Sequence, residues 1–163
     1  MPLDIPDDLQ KAAAAKSIND QINQYIVVMD TKASAFLAGN VAVASFYLGA
    51  MPSSDGGRAA FYLALALFGA AILAAGGVIF PRLPKSGNSI IFWGDIAASP
   101  DFKSYQERFQ RVLNEGFLDE QYCVQNFFAA RVLRKKYRWL RCSIMLSVAA
   151  LMVAFVAYLK AHG

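Results

Sequence analysis

Three kinds of side chain that together suit a nucleotide occur in the polar parts of the chain. They are the aromatic rings of Trp93 and Tyr105, the guanidinium of Arg108, and the amides of Gln121 and Asn126. Rings stack on a base, amides pair with its donor and acceptor edge, and a guanidinium neutralises a phosphate. The alternative is that Trp93, which lies in an apolar run, is a core residue. The residue types alone therefore do not establish a nucleotide-binding site, and we treat such a site as a hypothesis.

No arrangement typical of catalysis accompanies these residues. The sequence contains no Ser-His-Asp set, no glycine-rich phosphate loop and no G-x-G-x-x-G following a strand. Its single histidine, His162, stands next to the last residue, and the acidic residues between positions 84 and 141 are too scattered to suggest a metal site. We therefore predict that the protein is not an enzyme and uses no metal or cofactor.

The elements that must position the polar residues are set by three apolar stretches, 33–51, 59–80 and 142–159. Hydrophobic residues make up 56% of the 163-residue chain, and none of these stretches contains Asp, Glu, Lys or Arg. At about 1.5 Å rise per residue, each approaches or exceeds the roughly 30 Å hydrocarbon core of a bilayer. The sequence predicts an all-α membrane protein with three transmembrane helices.

Basic residues are distributed unevenly around the three stretches. Of the 16 Lys and Arg residues, 14 precede the first stretch or lie between the second and the third. The positive-inside tendency then predicts a cytoplasmic N-terminus and a C-terminus on the outer side. The densest cluster, 131–141, abuts the third stretch, where we interpret it as an anchor that touches anionic lipid, with nucleic-acid binding as the alternative.

The predicted domain organisation follows from these positions. A cytoplasmic helix occupies 1–32, two spans joined by a short outside turn occupy 33–80, a cytoplasmic sensor insert occupies 81–141, and the third span with its tail occupies 142–163. No helix breaker occurs between Leu9 and Pro52, or between Leu118 and the C-terminus, so each outer span is predicted to continue a long cytoplasmic helix.

Within the insert, two further elements are predicted. Residues 102–113 have helical periodicity and are followed by Asn114-Glu115-Gly116, which ends a helix. Residues 89–97 are apolar and rich in β-branched and aromatic side chains, interrupted by Gly94-Asp95. We predict a short extended segment with a tight turn there.

The N-terminal helix carries an apolar seam at steps of four, three and four residues. Its members are Ile18, Ile22, Tyr25 and Met29. Such a seam must pack on something, and the two candidates are the insert and the same helix of another subunit.

Polar residues lie beside that seam. Asn19, Asn23 and Asp30 share one side of the helix, which is either a solvated face or the polar face of a ligand pocket. At the predicted membrane edge, Lys32 can extend its ammonium to the headgroups. Asp30 gains nothing from anionic lipid, so we expect it to pair with a base or to accept hydrogen bonds within the protein.

Each predicted span carries a row of small residues. Close backbone approach through small side chains drives helix pairing in lipid, so three rows predict a tight bundle and suggest a homo-oligomer. The rows are Ala35, Gly39, Ala42, Ser45 and Gly49; Ala66, Ala70, Ala74 and Gly77; and Ser143, Ser147, Ala150, Ala154 and Ala157. The single amide within a span, Asn40, makes either an interhelical hydrogen bond or part of a polar path.

Three ordered motifs give the chain a family resemblance. They are NDQINQYIVVMDTKASAFLAGN at 19–40, IIFWGDIA at 90–97 and SYQERF at 104–109, followed by a Gln/Asn-bearing helix that leads into the basic cluster and the last span. In this order the chain resembles the transmembrane effector family of Pycsar antiphage systems over nearly its whole length. The most specific parts are Asp30-Thr31-Lys32-Ala33 and Phe92-Trp93-Gly94-Asp95-Ile96.

The resemblance implies a function. Such effectors answer a 3′,5′-cyclic pyrimidine mononucleotide, cUMP or cCMP, that a separate cyclase makes on phage infection, and they then impair the bacterial inner membrane so that the cell dies before phage mature. Of the two ligands we expect cUMP. On this hypothesis Arg108 neutralises the cyclic phosphate, Asn19, Asn23 and Asn126 read the base edge, Tyr105 or Trp93 stacks, and Asp30, Lys32 and Asp95 hold the motifs together.

Two other classes of protein fit the same sequence. One is a structural membrane protein that assembles through its small residues and senses nothing. The other is a constitutive pore. Thermal stability with and without cyclic nucleotide separates the first from a sensor, because a specific ligand stabilises its receptor by mass action.

Overall fold

The computed structural model describes residues 7–50, 55–80 and 89–162. Within these ranges all regular secondary structure is helical, and three helices are long and apolar enough to cross a membrane. The all-α prediction with three transmembrane helices is therefore confirmed. The helices are α1 (Asp7–Leu48), α2 (Asp55–Ile79), α3 (Trp93–Ala97), α4 (Phe102–Asn114) and α5 (Leu118–His162).

The two outer spans belong to long, unbroken helices, as predicted. Helix α1 has 42 residues and α5 has 45. A membrane span needs about 20 residues, so roughly half of each helix is left over for other contacts. Residues 51–54 of the predicted outside turn lie outside the described residues, and residues 55–58, predicted as its end, are the first residues of α2.

The segment 89–97 differs from its prediction. Trp93–Ala97 forms a short helix instead of an extended strand with a turn. The reason is local hydrogen bonding: the Ser89 hydroxyl accepts from the backbone N–H groups of Ile91 and Phe92, both at 3.1 Å. The Asp95 carboxylate accepts from the backbone N–H of Ser89 at 2.9 Å. These bonds fold the segment back on itself and override its β-propensity, which is a weak local preference.

The chain forms two compact units, and α1 and α5 contribute to both. The first unit contains residues 7–26 and 89–134 of the described chain, and the second contains 27–80 and 135–162. Within the second unit, Ala33, Val78 and Leu140 form one buried apolar cluster, called the core cluster below. Met29, Phe36 and Ile144 pack against this cluster from α1 and α5. The second unit thus joins all three candidate spans.

The predicted rows of small residues differ in burial within the second unit. On α5, Ser143, Ser147, Ala150 and Ala157 are buried, as a packing row should be. On α1, the entire predicted row from Ala35 to Gly49 is exposed in the single chain, and that part of the prediction is wrong for packing within one chain. The protected face of α1 runs through Met29, Ala33, Phe36 and Asn40 at steps of four, three and four residues.

On helix α2, too, the buried face differs from the predicted row of small residues. The predicted row is only partly protected: Ala74 is buried and Ala66 is exposed. The buried face instead follows steps of three and four residues and mixes small with large side chains. Its members are Phe61, Ala64, Phe68, Ala71, Ala75 and Val78. Regular spacing, which brings residues to one face, decides burial here more than side-chain size.

Hydrogen bonds between helices complete the second unit. The Ser147 hydroxyl lies 2.9 Å from the Asn40 Oδ1, and the Ser143 hydroxyl donates to the Ala71 carbonyl at 2.9 Å. The first contact joins α1 to α5 and the second joins α2 to α5. The interhelical alternative for Asn40 is thereby confirmed, and in lipid such contacts replace the missing hydrophobic drive for helix association.

Candidate functional site

A chain of amide hydrogen bonds runs through the first unit. The Asn23 amide donates to the Asn19 Oδ1 at 2.9 Å, the Asn19 amide donates to the Asn126 Oδ1 at 2.8 Å, and the Asn126 amide donates to the Ala15 carbonyl at 2.9 Å. Three residues selected from the sequence thus lie together, although Asn126 is 107 positions from Asn19. Asn19 is only 6% exposed, so the solvated-face alternative is wrong for it.

Helix geometry explains why these amides meet. Asn19 and Asn23 are four residues apart on α1, which places them on the same face. Ala12 and Ala15 precede them on that face and are buried, so their small side chains allow close approach. Asn23 is the exposed end of this amide chain. The described arrangement has amide groups that can both donate and accept, which is the chemistry needed to read a base edge.

The apolar seam predicted on the same helix is only partly used. Ile22 is half-buried, whereas Ile18 and Tyr25 are exposed in the single chain. The protected face of α1 in the first unit instead passes through Ala12, Ala15 and Asn19. Two of the four seam residues, Ile18 and Tyr25, are thus left uncovered in the single chain, while Met29 packs against the core cluster of the second unit.

The segment before α3 forms a second polar cluster in the first unit. The Tyr105 hydroxyl donates to the Ile90 carbonyl at 3.3 Å, and the backbone N–H of Ile90 donates to the Gln121 Oε1 at 3.4 Å. Arg108 donates from Nη2 to the Ser99 hydroxyl, which in turn lies 3.3 Å from the Asp95 carbonyl. Tyr105, Arg108 and Asp95 therefore meet around one short stretch of backbone.

Trp93 presents its ring to the outside of this cluster. The side chain is 61% exposed, with its ring centroid 5.8 Å from that of the buried Phe92. The core alternative for Trp93 is therefore wrong. An exposed indole held beside a buried ring is a suitable surface for stacking a base.

Helix α4 fixes the positions of Tyr105 and Arg108. It begins after Asp101, whose Oδ1 accepts from the backbone N–H of Ser104 at 2.8 Å. This backbone hydrogen bond and a second from the Ser104 hydroxyl hold the pKa of the Asp101 carboxyl below its ordinary value. The ionised cap thus anchors the turn from which Tyr105 and Arg108 project.

Gly94 leaves room for the buried ring of Phe92. A Cβ at position 94 would lie 2.5 Å from a ring carbon of Phe92, which is 8% exposed and has little space in which to move. We expect Gly94→Ala to destabilise the first unit by about 1–3 kcal/mol through overpacking. Thermal unfolding of the purified protein measures the effect, with Ala97→Ser, at an exposed position of the same helix, as the control. Equal melting temperatures for Gly94→Ala and wild type would contradict the expected clash.

Two glutamines of α5 belong to this region: Gln121 is among the amides that the sequence analysis names, whereas Gln125 was missed as a site residue. Gln121 contacts the Ile90 backbone, and Gln125 carries a buried Oε1 with no hydrogen-bond partner among the described residues. Gln121 belongs to the cluster before α3 and Asn126 to the amide chain, so a short stretch of α5 contributes to both polar clusters. The position of Gln125 next to Asn126 and four residues after Gln121 was the available signal.

A shallow depression on the outer face of α4 contains none of the predicted ligand residues. Two glutamates and one arginine line it, which is an unfavourable balance for a phosphate. Its lining residues are Gln106, Glu107, Gln110, Arg111, Asn114 and Glu115.

Asp30 and Lys32 belong to the second unit and behave differently. Lys32 is exposed, and Asp30 pairs with Lys136, whose ammonium lies 2.5 Å from the Asp30 Oδ1. The expectation that Asp30 pairs with a base is thus met by a residue that sequence analysis assigned to the lipid anchor. That assignment is wrong for Lys136, which is 5% exposed, because its position on α5 faces α1 and α2.

Comparison with known proteins adds the family. Residues 14–161 match the model of the Pycsar effector protein domain. The chain belongs to the Pycsar effector family. This membership identifies it as an antiphage effector that signals through a cyclic pyrimidine nucleotide made by a cyclase partner, and the three candidate spans make it a membrane protein. The Pycsar effector domain defines a family of membrane effectors rather than of enzymes. No curated protein and no solved structure matches the chain.

Proposed function

We propose that this Pycsar effector binds 3′,5′-cyclic UMP, in preference to cyclic CMP, and then disrupts the bacterial inner membrane, which kills the infected cell before phage mature. The observation that carries the proposal is the family match over residues 14–161. It is supported by the first unit, which gathers amide, aromatic and guanidinium groups in one compact part of the chain.

The proposed ligand contacts use the two polar clusters of the first unit. Arg108, oriented by its hydrogen bond to Ser99, neutralises the cyclic phosphate. Trp93 stacks on the pyrimidine, because its ring is exposed whereas the Tyr105 hydroxyl is engaged with the Ile90 carbonyl. The amide chain of Asn19, Asn23 and Asn126 reads the base edge.

The proposed topology places the first unit in the cytoplasm, where the cyclase makes its product. The positive-inside tendency favours this orientation, with the N-terminus cytoplasmic and the C-terminus periplasmic. The exposed small residues of α1 favour a homo-oligomer, since such a face permits close approach of a second helix in the bilayer. The protein in this proposal acts without a metal, a cofactor or an enzymatic activity of its own.

Signalling in this proposal is a ligand-biased equilibrium between two arrangements. A ligand shifts such an equilibrium only by binding one arrangement better than the other. Helices α1 and α5 each contribute residues to both units without interruption. A displacement of either helix in the first unit can therefore be transmitted along that helix to its membrane span. Binding energy gained at the amide and guanidinium groups thereby acts on the membrane.

Thermal stability tests the ligand assignment. We expect cUMP at 100 times its Kd to stabilise the detergent-solubilised full chain by about 2.7 kcal/mol and to raise its melting temperature. Cyclic CMP should act only at higher concentration, and cyclic AMP and cyclic GMP serve as purine controls. A melting temperature that none of the four nucleotides changes would contradict the proposed sensing function.

The second candidate is a membrane protein that senses no ligand, either a constitutive pore or a structural protein. The exposed row from Ala35 to Gly49 favours it, because that face suits assembly whether or not a ligand binds. Dye release from vesicles separates the candidates: a ligand-gated effector releases dye only with cUMP, a constitutive pore releases it always, and a structural protein never does.

A further inference from the structure

A buried ammonium joins the three spans of the second unit at a single point. The Lys136 Nζ lies 2.5 Å from the Asp30 Oδ1 and 2.6 Å from the Val78 carbonyl oxygen. These three residues lie on α5, α1 and α2 respectively. The contact is directly continuous with the apolar core, because Val78 itself belongs to the core cluster and Ala33 and Leu140 lie one helical turn beyond Asp30 and Lys136.

The chemistry of this contact allows two states. The Val78 carbonyl belongs to the last turn of α2, where carbonyls have no donor within their own helix, so water can replace the ammonium there. The Asp30 side chain is 36% exposed, so solvent already reaches one side of the ion pair. A broken contact can therefore be hydrated, whereas a purely apolar contact would have no comparable open state.

An ion pair is also an unusual choice for simple packing. Replacement of a buried ion pair by apolar residues of similar volume is often neutral or stabilising. A contact that served stability alone would thus be met equally well by apolar side chains at positions 30 and 136. The charges provide something that apolar packing lacks, which is a directional contact whose separated groups can each be hydrated.

We propose that the Asp30–Lys136–Val78 contact is a latch that holds the second unit in its resting, non-damaging arrangement and that opens when the effector is activated. The idea rests on the proposed membrane-disrupting function. The two charged latch residues stand on the same two helices that carry the amide chain of the first unit, with Asp30 following Asn23 on α1 and Lys136 following Asn126 on α5. Ligand-induced change in either helix can therefore act on the latch.

Dye release from vesicles of phosphatidylethanolamine and phosphatidylglycerol tests the latch in the full chain. We expect Asp30→Asn and Lys136→Met each to release dye without any nucleotide, at least tenfold faster than wild type. The double variant should release dye no faster than the more active single variant, since both substitutions open the same contact. Lys135→Met removes the exposed neighbouring charge and should behave as wild type.

The outcomes separate the latch from the ligand assignment. Folded single variants that retain dye as well as wild type without nucleotide would overturn the latch. So would loss of folded protein in both variants, judged by circular dichroism and size exclusion, since the pair would then be a requirement for folding. Leaky variants beside a wild type that ignores cUMP would support the latch and remove cUMP as its trigger.

Discussion

Arg108→Ala is expected to weaken cUMP binding roughly 10- to 100-fold. A hydrogen bond to a charged group contributes about 1.5–3 kcal/mol, and a cyclic phosphate offers a guanidinium more than one acceptor oxygen. The Ser99 hydroxyl holds Arg108 at the segment that precedes α4, so the charge is already positioned before the ligand arrives. Little side-chain entropy should then be lost on binding.

Titration calorimetry on detergent-solubilised protein measures this effect. Arg111→Ala is the matched control, because Arg111 is an exposed residue of the same helix and removes the same charge from the chain. Arg108→Lys should give an intermediate affinity, since an ammonium keeps the attraction but not the forked geometry. An unchanged Kd in Arg108→Ala, with the protein folded, would remove this residue from the site.

Ala150→Leu is expected to destabilise the second unit by about 1–3 kcal/mol. Ala150 has no exposed surface, and it continues the buried row of Ser143 and Ser147 on α5. A larger side chain there must push neighbouring helices apart, and overpacking of a dense interior typically costs about 1–3 kcal/mol. Separation of the helices would also weaken the hydrogen bonds that Ser143 and Ser147 make to α2 and α1.

The adjacent residue supplies the control for this prediction. Ala149 is exposed on the same helix, so Ala149→Leu adds the same apolar atoms on a face that can meet lipid. We expect Ala149→Leu to melt within a few degrees of wild type and Ala150→Leu to melt well below it. Similar melting temperatures for the two variants would show that the α5 row is not a packing surface.

Around position 93, the sequence indicated the residue types of the site but not the local backbone structure. The residue types at Trp93, Tyr105 and Arg108 suggested nucleotide chemistry, and the structure places all three in the first unit. Their local backbone was predicted incorrectly, because Ser89 and Asp95 hydrogen-bond across six positions and close a short helix. Propensity averages over many proteins and contains no information on such a specific side-chain pairing.

Lys136 shows the same limit for charge patterns. Within the sequence it is one member of a basic cluster and has the same expected partner, anionic lipid, as its neighbours. Only its position on the face of α5 that meets Asp30, 106 residues earlier, separates it from the exposed Lys135. A count of charges in a segment cannot distinguish the two faces of a helix.

The sequence by itself determined the three spans, the unbroken course of α1 and α5, and the family. Hydropathy and the absence of helix breakers are properties of contiguous residues, so they can be read from the sequence without any knowledge of packing. Only the tertiary structure decided which faces are buried, that Asn19 meets Asn126, and that Lys136 meets Asp30. These pairings join residues more than 100 positions apart, and they depend on how the faces of separate helices pack together.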